Sequence, residues 1–418
     1  MINKLNIYYD GWGEHWHWGS LWLLEDAQKT IVFEYSDAAM AHGLELSKLN
    51  LPLAQKITQD HPRHQDKLPG ILADCLPDGW GRLLMDRWFR QQQIPPHQVT
   101  ALDRLTYLGR NAMGAFSFEP EQSLLHENAQ NFSLQILAAE SQKIMQEQAS
   151  DLLNELVLMG GSPHGARPKV LLYRSQAEQK YSNFDFPGAE AWLVKFPAQN
   201  EKPEVAALEK IYAVCAEKAG LQLEQSEYFN LGNNLTAFGS KRFDRAGNLR
   251  VPMHTLAGYL HDDFRVPGCD YETLIRATAH ISYNSQQQIQ RAFRQAVFNV
   301  VFNNRDDHTK NFSFVLNQQQ EWQLSPAYDL TFNEGPNGYH QMSIMGEAMN
   351  IEKQHLIKLA KIAGISKPQT EQIIEQTCGA ASALQKTAQD LLPGEISKST
   401  LQYVQAAVDK RIKQLTAS

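Results

Sequence analysis

Asn303-Asn304-Arg305-Asp306-Asp307-His308-Thr309-Lys310-Asn311, followed after a strand, a turn and a strand by Leu324-Ser325-Pro326-Ala327-Tyr328-Asp329-Leu330, sets an Asp, an Asn five positions on, and a second Asp beyond a hairpin. A carboxylate, an amide and a carboxylate in that order suit phosphoryl transfer. The first Asp orients an attacking hydroxyl, while the Asn and the second Asp hold the magnesium ions that bridge nucleotide phosphates. On this reading Asp306 is the general base, and Asn311 and Asp329 are the metal ligands.

Asn, Asp and Arg are also turn residues, and a run of them is often only a solvated loop. The flanks argue otherwise. Residues 297–302 before the motif and 312–316 after it are strongly apolar, so the polar run sits on a buried platform, as catalytic loops do. Protein kinases write a related frame as H-R-D-x-x-x-x-N and D-F-G. Here His308 follows the Asp and Tyr328-Asp329-Leu330 stands for Asp-Phe-Gly, the mark of an unusual branch. Magnesium prefers oxygen ligands, so His308 is read as positioning a nucleotide hydroxyl or phosphate.

A phosphoryl-transfer site needs cations upstream. Residues 191–197 form an apolar strand stopped by Pro197 and carrying one lysine, Lys195, between Val194 and Phe196. A lysine there is costly to bury unless paired. Snorkelling from an edge strand is the plain alternative. In kinases such a lysine bridges the α- and β-phosphates and pairs with a helix glutamate. Glu209, on the helix expected over 204–219 and stopped by Gly220, is the first choice, with Glu204 behind it. Before that strand lies Gly160-Gly161-Ser162-Pro163-His164-Gly165-Ala166-Arg167-Pro168-Lys169. By itself this is an ordinary turn. Ahead of a lysine-bearing strand, its backbone N–H groups are expected to cradle phosphate, with Arg167 and Lys169 supplying charge. The Ser162 hydroxyl falls where self-phosphorylation is geometrically plausible.

The remaining elements read as an α/β unit and then a helical one. Residues 5–9 and 30–35 are strand-like, 79–93 form a helix with apolar Trp80, Leu83, Leu84, Trp88 and Phe89, and 105–116 run helix, turn and strand. Residues 122–130 form a polar connection. Residues 238–245 read as a strand and hinge, and 289–302 and 401–415 as helices. His15 and His17 look like a zinc pair, but no further ligands cluster nearby. The interleaved Trp12, Trp16, Trp18 and Trp22 fit packing or a partner surface better.

Bulk properties exclude several classes. The 418 residues are 43% hydrophobic and 20% charged, an ordinary globular balance that suggests two or three domains. A net charge of −7 gives no general attraction for nucleic acid. Cys75, Cys215, Cys269 and Cys378 are scattered without a C-x-x-C pair, which predicts buried thiols in a reducing compartment. The N-terminus lacks a signal-peptide pattern, and no run is long and apolar enough to cross a membrane, so a cytoplasmic location is expected.

Several motifs in order give a resemblance over nearly the whole chain. They are Leu76-Pro77-Asp78-Gly79, Leu108-Gly109-Arg110-Asn111-Ala112-Met113-Gly114-Ala115, Gly165 to Lys169, Trp192-Leu193-Val194-Lys195-Phe196, Lys241-Arg242-Phe243-Asp244-Arg245 and the two motifs of the opening paragraph. Together they resemble the HipA family of bacterial serine/threonine kinase toxins. The resemblance implies an α+β, protein-kinase-like two-lobe fold. Its parts are a small N-terminal subdomain (1–122), a kinase small lobe with a Gly-rich loop (145–245) and an all-helical C-terminal lobe (246–418). It implies Asp306, Lys195 and Glu209 as catalytic residues, Asn311 and Asp329 on Mg2+, and ATP as phosphoryl donor. Nucleotide contacts are expected from His164, Gly165, Ala166, Arg167, Lys169, Lys195, Lys241, Phe243, His308, Lys310 and Tyr328, with adenine met by the backbone of Lys241 to Phe243. Family members phosphorylate a loop serine on themselves, matched here by Ser162, and are neutralised by a HipB-like helix-turn-helix antitoxin. DNA is then reached only through that partner, and the substrate is a translation component such as an aminoacyl-tRNA synthetase. Two departures stand out: Asp307 where some relatives have Gly, and Pro163, which biases Ser162 toward extended backbone. A catalytically weak scaffold serving as co-repressor and a small-molecule kinase are the alternative readings.

Overall fold

Alternation along the first strands decides the N-terminal architecture. In the computed structural model, which describes all residues except 1, 122–129, 161–162, 176, 178–179 and 417–418, strand β1 (Lys4–Tyr9) turns Leu5, Ile7 and Tyr9 inward, and β3 (Ile31–Tyr35) turns Ile31, Phe33 and Tyr35 inward. Between them lies β2 (Trp16–Leu23), a strand that the Trp- and His-rich sequence hides. Its Trp18 is fully buried against Phe33, Tyr35 and Phe116. The tryptophans here mainly pack. His15 Nδ1 lies 2.7 Å from Asp10 and its ring stacks on Tyr8. With β4 (Ile57–Thr58) and β5 (Phe116–Glu119) the sheet runs β4-β3-β2-β1-β5, with antiparallel pairing throughout.

Helices α1 (Asp37–His42), α2 (Gly70–Ala73), α3 (Gly79–Gln91) and α4 (Ala101–Leu108) fill the chain between β3 and β5. In α3, Trp80, Leu84, Met85 and Phe89 form the buried stripe, a spacing of four and five that gives an amphipathic helix. α4 opens with a reciprocal capping box between Thr100 and Asp103.

A second sheet follows α5 (Leu134–Met145) and α6 (Leu153–Gly160). Its strands are β6 (Lys169–Ser175), β7 (Lys180–Ser182), β8 (Glu190–Lys195), β9 (Ser226–Gly232) and β10 (Leu235–Lys241), in the order β7-β6-β8-β10-β9. β6 is buried at six of its seven positions, with α6 packed against it, and its Val170-Leu171-Leu172-Tyr173 centre is the apolar run that the sequence shows. After β10 come the short ribbon β11 (Arg245–Ala246) and β12 (Leu249–Arg250), then β13 (Met253–Thr255) and α8 (Leu256–Leu260).

The motifs at 108–115 and 241–245 meet here. Buried Asp244 accepts from Arg242 (2.8 and 2.9 Å), Arg245 (2.8 Å) and the Gly114 amide (2.9 Å). Burial alone raises a carboxyl pKa, but the guanidiniums of Arg242 and Arg245 outweigh it and hold Asp244 far below its ordinary value. Arg250 donates to the carbonyls of Arg110, Ala112, Gly114 and Phe116, so the loop's backbone is satisfied by side chains.

The chain separates into two compact units, Met1–Glu201 with Phe229–His261, and Lys202–Tyr228 with Asp262–Ser418. The division at 245/246 expected from sequence falls inside the first unit, and α7 (Glu204–Lys218) belongs to the second. The second unit is built on α9 (Tyr271–Ile281) and α10 (Gln286–Val301), whose Ala292, Phe293, Ala296, Val297, Val300 and Val301 are fully buried. One hairpin, β14 (Ser313–Leu316) and β15 (Trp322–Leu324), interrupts the helices. Then come α11 (Lys353–Ile362), α12 (Lys367–Ser382), α13 (Leu384–Leu391) and α14 (Lys398–Thr416). The four cysteines are free thiols. Among the described residues no helix is long and apolar enough to cross a membrane.

Candidate active site

The carboxylate loop grows from the end of α10. Phe302 is fully buried, and Asn303 turns the chain with φ 54°. Asn299 then fixes the turn: its side chain accepts from Asn304 Nδ2 at 3.0 Å and donates to the Tyr271 hydroxyl at 3.0 Å. On the far side Phe312, Phe314 and Leu316 are buried, so the loop is held between two apolar supports.

Within the loop the Asp306 side chain is 49% exposed, and its Oδ1 lies 3.9 Å from His308 Nε2. Asn311 donates Nδ2 to the Asp306 carbonyl at 2.6 Å, which fixes the orientation of the amide. Tyr328 fastens the second motif to the first: its hydroxyl donates to the Lys310 carbonyl at 2.6 Å and lies 2.7 Å from Ser313 Oγ. Farther on, the Arg305 amide donates to the Asn333 carbonyl and the Asn333 amide to the Asn303 carbonyl. Asp329, with φ 55°, stands between these two fastenings. Its left-handed backbone is one that aspartate tolerates better than most residues. His308 packs its ring 5.2 Å from that of Phe264, and Lys310 Nζ lies 4.6 Å over the same ring.

Asp306, Asn311 and Asp329 offer oxygen only, the donor type magnesium selects. Among the described residues no group of three or more His, Cys, Asp or Glu forms a metal cage. A nucleotide-bound magnesium is held differently, through one or two carboxylates plus phosphate oxygens.

Glu209 on α7 is 2% exposed. The fallback, Glu204, is engaged elsewhere: it accepts from Thr400 Oγ1 at 2.5 Å and from the Ser397 amide at 2.8 Å. Burial, which raises its pKa, is outweighed by those bonds, and the net shift is downward.

In the first unit, Lys195 and Lys169 are register partners across β8 and β6. Directly opposed residues of an antiparallel pair share a face, so the two lysine side chains leave the same side of the sheet. Lys169 is 3% exposed and donates to the His164 carbonyl. Arg167 is committed to Glu201, with Nε and Nη2 at 2.8 and 2.6 Å from Oε1. Gly165 has φ 103°, and both its backbone groups are spoken for. Its N–H donates to Asp78 at 2.5 Å and its carbonyl accepts from the Trp80 amide at 3.0 Å. Gly165 thereby shapes the loop, with its N–H and carbonyl both tied to the first turn of α3. Lys241 pairs with Glu190 at 2.7 Å, and the Arg242 amide donates to the Ala191 carbonyl. That takes one of the backbone groups expected at adenine. Ser162 lies outside the described residues.

Two features escaped the sequence. Asp307, next to Asp306, is 1% exposed and accepts from Tyr271 Oη (2.7 Å) and the Gln341 amide (2.8 Å), with His340 Nδ1 at 2.8 Å. The consecutive Asp306-Asp307 pair gives no sign of which is buried. The other is a Ser-His-Asp array: Ser47 Oγ lies 3.0 Å from His254 Nε2, and His254 Nδ1 2.6 Å from Asp74 Oδ2. All three are sealed, at 1%, 0% and 4% exposure. Asp74 also accepts from Thr255 N and Oγ1 at 2.8 and 2.6 Å. The array is a core network and offers a substrate no approach.

Comparison with known proteins follows the same lines. Residues 7–119 match the HipA N-terminal domain and residues 161–384 the HipA-like C-terminal domain. Comparison with curated protein sequences gives no match. Among solved structures, the chain is similar to HipA of Shewanella oneidensis MR-1, determined in complex with HipB and its operator DNA. The TM-score is 0.72 at 18% identity, covering 99% of this chain and 97% of that one. The proinflammatory kinase CtkA of Helicobacter pylori gives a TM-score of 0.39 at 10% identity, over 60% of this chain and 89% of that one. The α+β fold is that of the Shewanella protein, and with both domain families matched in order the chain belongs to the HipA family.

Proposed function

We propose that this chain is a Mg-ATP-dependent serine/threonine protein kinase. We read it as the toxin of a toxin-antitoxin pair, phosphorylating a translation component such as an aminoacyl-tRNA synthetase and itself on Ser162. The observation that carries the reading is the double fastening of the Asp329 segment onto the Asp306–Asn311 loop, through Tyr328 on one side and Asn333 on the other. A solvated surface loop has no use for that bracing. Asp306, half exposed on a rigid base, accepts the proton of the target hydroxyl as that oxygen bonds the γ-phosphorus. The bond from the γ-phosphorus to the β–γ bridging oxygen breaks, and ADP is the product. Asn311 and Asp329 would hold magnesium, which neutralises charge on the phosphate oxygens. Lys195 and Lys169 present paired positive charge to the phosphates, and Glu209 is the acid assigned to orient Lys195. Lys241, Phe243, His164, Ala166, His308 and Lys310 complete the nucleotide contacts, with Tyr328 acting by holding Lys310.

Likeness to a protein determined with HipB and operator DNA supports a HipB-like antitoxin as partner and DNA contact through it. The test is incubation of purified protein with Mg-ATP, followed by mass spectrometry of the intact chain and its peptides. One added phosphate on wild type, absent from Asp306→Asn, is expected. An unmodified chain that also fails to bind ATP or to phosphorylate any protein of a bacterial lysate would overturn the reading.

A further inference from the structure

Asp78 stands at the N-cap of α3 but makes no capping bond to its own helix. An N-cap aspartate ordinarily spends its carboxylate on the amides two or three residues on. Here Oδ1 accepts instead from the Gly165 amide, 87 residues away in sequence, at 2.5 Å. The next residues continue the contact. Trp80 donates its amide to the Gly165 carbonyl and its indole Nε1 to the Lys169 carbonyl, both at 3.0 Å. Gly79 lies so close that a Cβ there would come 2.5 Å from the Gly165 carbonyl oxygen, and its φ of 38° disfavours a side chain in any case. Gly160, at the start of the loop, is held against Trp80 Nε1, where an added Cβ would fall at 2.8 Å. The first turn of α3 thus meets the glycine loop at its entry, its centre and its exit, and it comes from the domain matched at 7–119, whereas the loop lies in the domain matched at 161–384.

We infer that Asp78, with the Gly79–Trp80 backbone, is a positioning residue for the phosphate loop: the N-terminal domain sets the shape in which residues 163–169 receive the nucleotide. The inference rests on the kinase reading of the loop. A glycine with φ 103° has many alternative conformations. Pinning both its polar groups removes them before nucleotide arrives, and such preorganisation raises affinity without any new ligand contact. Lys169 gains as well, because its carbonyl is fixed by Trp80 while its ammonium group reaches the His164 carbonyl of the same loop.

The experiment uses the full-length chain as wild type, Asp78→Ala and Asp78→Asn. It has two readouts: hydrogen exchange of peptides covering 160–169, and binding of a fluorescent ATP analogue with Mg2+. Loss of a charge-assisted bond predicts exchange at the loop faster by about tenfold or more in Asp78→Ala, with a similar loss of nucleotide affinity. Peptides of β8 and β10 keep their wild-type exchange. Asp78→Asn keeps an acceptor and restores most of both. Loop exchange unchanged in Asp78→Ala overturns the inference. So does faster exchange with unaltered nucleotide affinity. Tighter binding also overturns it, since Asp78 would then be a competitor of phosphate. Wild-type protein that binds no nucleotide removes the kinase reading instead, while the exchange comparison still reports whether Asp78 holds the loop.

Discussion

Asp306 and Asp307 are consecutive carboxylates with opposite surroundings: the first is half open to solvent, and the second is sealed beneath it by Tyr271, His340 and the Gln341 amide. The pairing divides chemistry from architecture within one dipeptide, and the two substitutions should separate accordingly.

For Asp306→Asn, phosphotransfer to protein is expected to fall by about a hundredfold or more. The thermal midpoint should stay close to wild type, because the Asp306 side chain is half exposed and Asn is nearly isosteric with it. Radiolabel transfer alongside a melting curve checks both halves. A variant that keeps full transfer ends the assignment of Asp306 as base.

Asp307→Ala strands three donors in the interior and is expected to lose about 3 kcal/mol or more of stability. Chemical denaturation measures it. A loss below about 1 kcal/mol would mean that water replaces the carboxylate, and that the sealed environment is less dry than the packing indicates.

Lys195→Met keeps the length of the side chain and removes the charge. Nucleotide affinity should drop by about tenfold or more. Calorimetric titration with Mg-ATP measures it. Unchanged affinity would move the phosphate site away from this sheet.

Acid should weaken the first unit in a defined window. Burial, the dominant cause, pulls His61 and His261 down to about 4. Both are therefore neutral in the folded state at pH 5, where the unfolded chain is protonated at its ordinary value near 6.5. Stability is complete above pH 6.5 and is lost as pH falls from 6.5 to 4, by up to about 1.4 kcal/mol per pH unit for well-buried His61. Urea midpoints at pH 7, 6 and 5 test this, with His61→Gln expected to flatten the slope. An identical slope in the variant would locate the acid sensitivity elsewhere.

Much of the fold was legible because local pattern and final burial agree. The runs that read as β1, β3, β6, β8, α3, α7, α10 and α14 all form, and each carries its period or apolar run in the sequence itself. β2 stayed hidden because His and Trp alternate there, and only the neighbouring strands reveal which of them face the core. The loop at 306–311 was readable from its spacing and apolar flanks. Asp78, Asp307 and the Arg242–Asp244–Arg245 cluster were seen as residues but not as supports. The distant contacts that make them supports, Gly165 for Asp78, His340 for Asp307 and Gly114 for Asp244, lie outside the motif that holds each acid.

Because the first unit takes Met1–Glu201 and then Phe229–His261, it cannot be completed until residues 202–228 of the second unit have been made. β10 lies between β8 and β9 in the finished sheet. Until residue 241 has left the ribosome, the outer edge of β8 therefore remains an open row of backbone donors and acceptors, the kind of edge that recruits foreign strands. Residues 202–228, α7 among them, emerge in that interval and belong to a unit whose remainder has yet to be translated. A ribosome stalled between 201 and 241 would thus hold a chain with an unclosed sheet and an orphan helix, a natural client for chaperones and proteases. The lysine-bearing strand would be covered only once the polypeptide had committed to making the rest.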